Sequence, residues 1–281
     1  MAFKLGIIGY PLAHSISAVI QKAGLESLGL EGSYDVLDTP PEDLITRIKY
    51  LKTNGYNGFN VTIPLKVPMS LFLDDIDDYA NIAGCVNTVK ITEDKSFIGY
   101  NTDIYGFKSA IPKGVDLKGK IASILGTGGA ARAAVVGLSE KGVKNIDFYT
   151  RNIINSNQTL EYMRAKFPDI IFNVYQIQNI RSLRDSAIVV NATPIGMKGY
   201  MADEMPLEGR DLDNLTENTI IYDIVYNPVK TMLLREAQQR GLKTIGGLDM
   251  LIFQAQRAIE IWTGKVPDVK SMKIAALEAL N

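Results

Sequence analysis

The chain has 281 residues, 46% hydrophobic and 22% charged, a mix that suits one large or two medium soluble domains with a sizeable core. Lys plus Arg number 30 against 31 Asp plus Glu, a net charge of −1, so there is no global basic field to hold nucleic acid or an anionic membrane. One histidine, His14, and one cysteine, Cys85, exclude an intramolecular disulfide and the usual nitrogen and sulfur zinc sites; no metal is expected, and the lone thiol fits a reducing cytoplasm.

FKLGIIG at 3–9 reads as a strand rather than a signal peptide, and no apolar run reaches membrane-spanning length. Ile16, Val19, Ile20 and Ala23 then recur at helical spacing. SYDVL at 33–37 is a strand, 42–51 a helix, and GFNVTI at 58–63 a strand that Pro64 ends. This alternation is the pattern of βαβ units and a mainly parallel sheet. Residues 86–103 break it as a hairpin, two strands joined by the polar turn Glu93-Asp94-Lys95. After a Pro- and Gly-containing linker at 112–119 a second β-α series begins, with strands at 120–126, 145–150, 170–176, 187–193 and 219–225 and its clearest helix at 130–140. Helical patterns over 248–262 and 270–280 close the chain, and the expected class is α/β in two domains.

Three features carry chemistry. Lys66 follows a strand end and sits between Pro64 and Pro68, a stiff setting for a solvated surface lysine but a suitable one for a positioned acid–base group. Gly126-x-Gly128-x-x-Ala131 lies between a predicted strand and helix: Gly126 for the turn, Gly128 for close approach of a pyrophosphate, Ala131 for tight packing, with free N–H groups at the helix N-terminus. The next strand ends in Thr150-Arg151 with no acid, which suits the 2′-phosphate of NADP rather than the 2′-hydroxyl of NAD. Two Tyr-x-x-x-Lys spacings, Tyr162/Lys166 and Tyr226/Lys230, are decoys for short-chain dehydrogenase chemistry: the first comes too early, and Pro228 breaks the helix the second needs. A Ser-His-Asp hydrolase would need His14, and no G-x-S-x-G elbow accompanies it.

The blocks GYPLAHSIS (9–17), NVTIPLK (60–66), GCVNT (84–88), GYNTDIYGF (99–107), GTGGAARA (126–133), NATPIGM (191–197), DIVYNP (223–228) and GGLDMLIFQA (246–255) together resemble the shikimate dehydrogenase family, in order over nearly the whole chain. The resemblance implies an N-terminal α/β substrate domain, residues 1–104 joined by returning C-terminal helices at 247–281, and a Rossmann-like doubly wound NADP-binding domain over 105–246. It implies reversible NADPH-dependent reduction of 3-dehydroshikimate to shikimate, on the route to aromatic amino acids, with small molecules as partners and a homodimer as the assembly to test for. Lys66 and Asp103 match the catalytic pair. Ser15 and Ser17 match binders of the substrate carboxylate; Thr62, Asn87, Asp103 and Gln254 match binders of its ring hydroxyls, with Tyr226 on the same side. Asp78, Gly126, Thr127, Gly128, Gly129, Ala130, Thr150, Arg151, Ile224 and Gly247 fall on the cofactor side.

Plainer readings stand beside these. Ser15 and Ser17 suit a helix cap, Asn87 and Asn101 suit turns, Asp103 suits the N-cap of a helix over 104–109, and His14 reads as structural. Ala18, Gln21 and Lys22 depart from the proline and His-Asn pair usual after the serines, and TRNIINSN at 150–157 is poorer in basic residues than many NADP-using members. The nearest alternative is a quinate/shikimate dehydrogenase using NAD or both cofactors. A non-catalytic NADP-binding regulator is the other class, against which Lys66 and Asp103 argue.

Overall fold

The alternating apolar runs form two six-stranded sheets in a computed structural model that describes residues 2–13, 15–180 and 183–280. His14, and with it the expectation of a structural role, lies outside the described residues. The chain divides into two units, one of residues 1–106 with 252–281 and one of residues 107–251.

The first unit contains β1 (Phe3–Gly9), α1 (Ser17–Ser27), β2 (Gly32–Asp38), α2 (Leu44–Thr53), β3 (Gly58–Val61), β4 (Asp75–Ile76), α3 (Asp78–Ala83), β5 (Thr88–Ile91) and β6 (Phe97–Tyr100). Its sheet order is β2-β1-β3-β5-β6-β4. β1 runs parallel to β2 and β3, whereas β3–β5 and β5–β6 are antiparallel, so the expected hairpin is present. The third strand stops at Val61 rather than 63: Thr62 still donates to the Ile8 carbonyl, but Pro64 has no N–H to continue the ladder. The two-residue β4 and the six-residue α3 are too short to show a period in sequence. Local chemistry delimits α3, whose first turn is capped by Asp77 accepting from Ala80 N at 2.8 Å and whose end is Gly84 at φ 64°.

The second unit is a fully parallel sheet, ordered β12-β11-β10-β7-β8-β9. Its elements are β7 (Ile121–Leu125), α5 (Gly129–Glu140), β8 (Asn145–Thr150), α6 (Ile153–Lys166), β9 (Ile171–Gln176), β10 (Ser186–Asn191), α7 (Gly209–Asp213), β11 (Ile220–Asp223), α8 (Met232–Gln239) and β12 (Lys243–Ile245). Chain order reverses between β7 and β10, the place where doubly wound sheets open a crevice at their carboxyl ends. α4 (Thr102–Ala110) and α9 (Gly247–Thr263) contain the two unit boundaries, and α10 (Val269–Leu280) completes the first unit.

Each unit has its own core. In the second, Phe107 and Tyr222 stack with ring centroids 4.7 Å apart among Ile124, Val135, Leu138 and Ile188. In the first, Phe59 meets Phe97 edge-on at 5.7 Å within a cluster that includes Ile8, Leu51 and Val89. α9 closes over that sheet: Trp262 Nε1 donates to the Val89 carbonyl at 2.9 Å and lies directly over Gly58. A Cβ on Gly58 would stand 2.2 Å from Trp262 Nε1 and 2.6 Å from the Val89 oxygen. Gly58→Ala is therefore expected to destabilise the fold by about 1–3 kcal/mol, the usual range for overpacking, and to lower Tm by roughly 2–12 °C. A melting curve that matches the wild type would show that the indole is not held there.

Candidate active site

In the first unit, reactive groups collect at the carboxyl ends of β1 and β3. The apolar strand carries Leu65 into the core, fully buried, and the Lys66 carbonyl accepts from Val86 N at 2.9 Å. The backbone of Lys66 is thereby fixed on both sides, and its side chain runs to Asp103, with Nζ 2.5 Å from Oδ2. Side-chain exposure is 17% for the lysine and 9% for the aspartate, so the pair is largely withdrawn from water. Asn87 Nδ2 donates to the other carboxylate oxygen at 2.7 Å. Burial pulls the Lys66 pKa down, but the adjacent Asp103 charge and hydrogen bond, with a smaller push from Cys85, leave it above the ordinary lysine value. At neutral pH Lys66 is an ammonium ion, a proton donor at rest.

The other residues on this side follow from the same scaffold. Thr62 comes directly after β3, and Tyr10 N donates to the Ile63 carbonyl at 3.0 Å, which joins the ends of β1 and β3. Ser15 and Ser17 lie just beyond β1, where Ser15 Oγ accepts from Ser17 N at 3.3 Å. Ile16 rather than a serine stands at the N-cap of α1, but the Ser15 hydroxyl serves the first N–H of the helix, so the capping reading holds in part for Ser15. Asp103 is not the cap of α4: it sits in the first turn, and the Asn101 side chain accepts from Ile104 N at 3.4 Å. Gln254 in α9 approaches the same cluster, its Oε1 3.4 Å from Thr102 Oγ1. Asp78 opens α3, apart from these contacts.

In the second unit the glycine loop joins β7 to α5. Gly126 adopts φ 98°, and its N–H donates to the Tyr149 carbonyl at 2.8 Å. A Cβ on Gly128 would meet open space, and this glycine is the N-cap of α5, with no side chain of its own to accept from the first N–H groups of the helix. Ala131 is fully buried where the helix meets the sheet. These features fit a pyrophosphate. Thr127 Oγ1 lies 3.1 Å from Ser156 Oγ, which donates to Thr150 Oγ1 at 3.0 Å. The Thr150 hydroxyl thus turns towards α6, while Arg151, one residue on, is exposed.

Ile224 and Tyr226 follow β11, and a Cβ on Gly247 would fall 2.1 Å from the Ile224 carbonyl, so only glycine fits. Burial raises the Tyr226 pKa, which keeps its phenol a hydroxyl donor. Beneath them is a polar cluster that sequence reasoning missed. Asp223 is fully buried and accepts from Thr231 Oγ1 at 2.6 Å, Val225 N at 3.0 Å and Asn191 Nδ2 at 2.9 Å. Asn191 Oδ1 in turn accepts from the Thr193 hydroxyl at 2.6 Å. Asn60, Thr88 and Thr102 in the first unit are further buried polar residues without a sequence-level assignment. A lone polar residue inside or at the end of an apolar strand is the signal available for Asn60, Asn191 and Asp223, because such a group is tolerated only with partners.

Among the described residues no cluster of His, Cys, Asp and Glu could hold a metal, and no helix is long and apolar enough to cross a membrane. The family model for the shikimate dehydrogenase substrate binding domain matches residues 7–89, and that for the shikimate 5'-dehydrogenase C-terminal domain matches residues 247–277. The chain is 38% identical over 277 residues to the shikimate dehydrogenase (NADP(+)) of Archaeoglobus fulgidus, covering 99% of this chain and 98% of that protein. It superposes on a crystal structure of shikimate dehydrogenase in complex with NADP+ with a TM-score of 0.89 at 34% identity, covering 100% of this chain and 96% of that one. Shikimate 5-dehydrogenase from Thermus thermophilus, in complex with NADP(H) and shikimate, gives 0.84 at 36% identity, covering 99% and 100%.

The buried Asp223 generates a pH test. Burial raises its pKa to about 6, although three hydrogen bonds to the carboxylate oppose the shift. Between the ordinary aspartate value and about 6 the folded state binds more protons than the unfolded state, so this group's contribution falls as pH rises and is constant above that window. Asp223→Asn should therefore gain on the wild type in Tm as pH goes from 4 to 7, on top of a constant offset from its altered hydrogen bonds. Parallel melting curves whose separation does not change with pH would contradict this.

Proposed function

The chain belongs to the shikimate dehydrogenase family, and we propose that it catalyses the reversible NADP-dependent interconversion of 3-dehydroshikimate and shikimate. The observation that carries this reading is the withdrawn Lys66–Asp103 pair, with Nζ and Oδ2 2.5 Å apart. A regulator that only bound the dinucleotide would have no use for an acid–base pair held in this way. The relatives are named for NADP(+), which does not favour the quinate or NAD alternative.

On this reading Ser15 and Ser17 present hydroxyls to the substrate carboxylate, Thr62, Asn87, Asp103 and Gln254 receive its ring hydroxyls, and Tyr226 is assigned to the substrate. Bound NADPH supplies the hydride. Lys66, an ammonium at rest, gives its proton to the carbonyl oxygen as negative charge develops there, leaving a neutral amine and an alcohol. In the reverse direction the neutral amine takes the hydroxyl proton. Asp103 holds the lysine head in place through one oxygen, and its charge keeps Lys66 protonated against the pull of burial. The N–H groups of residues 128–130 would hold the pyrophosphate and Arg151 the 2′-phosphate, and Asp78, Ile224 and Gly247 are assigned to the cofactor as well. The substrate domain corresponds to residues 1–104 with 247–281, and the NADP domain to 105–246. The partners are small molecules; a net charge of −1 supports no nucleic-acid partner, and the single cysteine supports a cytoplasmic setting.

Purified protein is expected to reduce NADP+ in the presence of shikimate, read at the nicotinamide absorbance band; no turnover with shikimate would end the proposal. Lys66→Met should lower kcat by about 10²-fold or more, the range for general acid–base groups, with shikimate binding largely kept; Tm should fall as well, because Asp103 loses its cation, so kcat is read where the variant is folded. A variant with more than half of the wild-type kcat would remove Lys66 from the mechanism. Arg151→Ala should lose roughly 10- to 150-fold in kcat/KM with NADP and little with NAD, since hydrogen bonds to a charged group run about 1.5–3 kcal/mol. Equal losses with both cofactors would show that the arginine supports its loop instead.

A further inference from the structure

One hydroxyl beside the catalytic pair belongs to a residue with no role so far. Thr102 opens α4, is 1% exposed, and stands one position before Asp103. Its main-chain N–H donates to Asn87 Oδ1 at 2.7 Å, and Asn87 Nδ2 donates back to Thr102 Oγ1 at 2.9 Å. A main-chain N–H can only donate, so this contact fixes which end of the Asn87 amide is oxygen. The second Nδ2 hydrogen is then directed at Asp103 Oδ1, 2.7 Å away. Both amide hydrogens of Asn87 are thus assigned, and the hydroxyl of Thr102 holds one of them.

The remaining valences of the cluster are consistent with this. Thr88 Oγ1 accepts from Asn60 Nδ2 at 3.0 Å, leaving its own proton for Asn87 Oδ1 at 3.2 Å. Asn60 is itself anchored, its Oδ1 accepting from the Tyr34 hydroxyl at 2.6 Å and Gln21 Nε2 at 3.2 Å. The Thr102 proton has Thr88 Oγ1 at 3.1 Å, Asn87 Oδ1 at 3.2 Å and Gln254 Oε1 at 3.4 Å within reach; with Asn87 Oδ1 served by Thr102 N and Thr88, Gln254 Oε1 is the acceptor left for it. One hydroxyl therefore touches two amides that the proposed function places on the substrate.

We infer that Thr102 is a positioning residue whose hydroxyl sets the side-chain amides of Asn87 and Gln254, and through Asn87 the Asp103 carboxylate, for shikimate. The inference rests on the proposed function and names what orients the polar groups of that site. Valine at 102 keeps the shape and the main-chain N–H but puts a methyl group where Asn87 Nδ2 needs an acceptor. Alanine removes the hydroxyl without any steric demand, and serine restores it.

The test compares steady-state kinetics of wild type, Thr102→Val, Thr102→Ala and Thr102→Ser, each checked for folding by circular dichroism and Tm. A misplacement on the order of 1 Å costs about 10²-fold in catalysis, so the valine and alanine variants should lose roughly 10- to 100-fold in kcat/KM for shikimate. KM for shikimate should rise while KM for NADP stays within about 2-fold, and serine should recover most of the loss. Alanine decides the matter if the valine protein does not fold. A structural role would instead lower Tm and kcat with the shikimate KM unmoved; that outcome, or a serine variant as impaired as alanine, overturns the inference. Absence of wild-type turnover would refute the proposed function, whereas an active wild type with an indifferent alanine variant refutes the role of Thr102 alone.

Discussion

A carboxylate shared between a cation and an amide organises the chemistry of the first unit. Asp103 gives one oxygen to Lys66 and the other to Asn87, and with 9% of its side chain exposed it has little water to fall back on. Removing either partner from a buried ion pair leaves a charge without compensation, which costs more than the pair contributes. The surrounding strands are accordingly built to hold positions rather than to maximise apolar contact. Leu65 anchors the lysine backbone, Val86 N bonds its carbonyl, and β5 and β6 flank the residues that carry Asn87 and Asp103. The net effect on Lys66 is decided by two opposed influences, burial and the neighbouring charge, and the charge prevails.

The second unit treats its polar groups in a similar way but towards a different end. Asp223 and Asn191 end neighbouring parallel strands, and their side chains bond to each other and to the loops that follow. Ile224 and Tyr226 are carried by one of those loops. The glycine loop at the end of β7 needs no such support from side chains, because Gly126 takes a backbone conformation closed to other residues and Gly128 leaves its surroundings open.

Much of this is legible in the sequence, for identifiable reasons. Short strands rich in Ile, Phe, Tyr and Val between polar breaks are readable, so β7, β8 and β9 fall within a residue of their expected bounds. β4 and β12, with two and three residues, carry no periodicity to read. Lys66, Asp103 and the glycine loop stand out because they sit where elements end and because their blocks match a family. Thr102 and Thr88 do not, since a threonine in or beside a strand is ordinary; only the hydrogen-bond geometry shows that their hydroxyls meet one amide. The expected cap at Asp103 is displaced because α4 starts two residues earlier than the apolar pattern suggests, which hands capping to Asn101.

The return of residues 252–281 to the first unit bears on how the protein is made. Trp262 over Gly58, Gln254 beside Thr102 and α10 against α1 are contacts between segments separated by the whole second unit. On the ribosome, residues 107–251 have every strand of their sheet once β12 has emerged, whereas the first sheet stays without its covering helix until α9 and α10 follow. The nascent chain therefore completes its second unit first and leaves the face of the first sheet that Trp262 covers at Gly58 open in the meantime. Closing so long an intervening loop adds only a logarithmic entropy cost once that loop is folded or flexible, so the delay is one of synthesis time rather than of final stability.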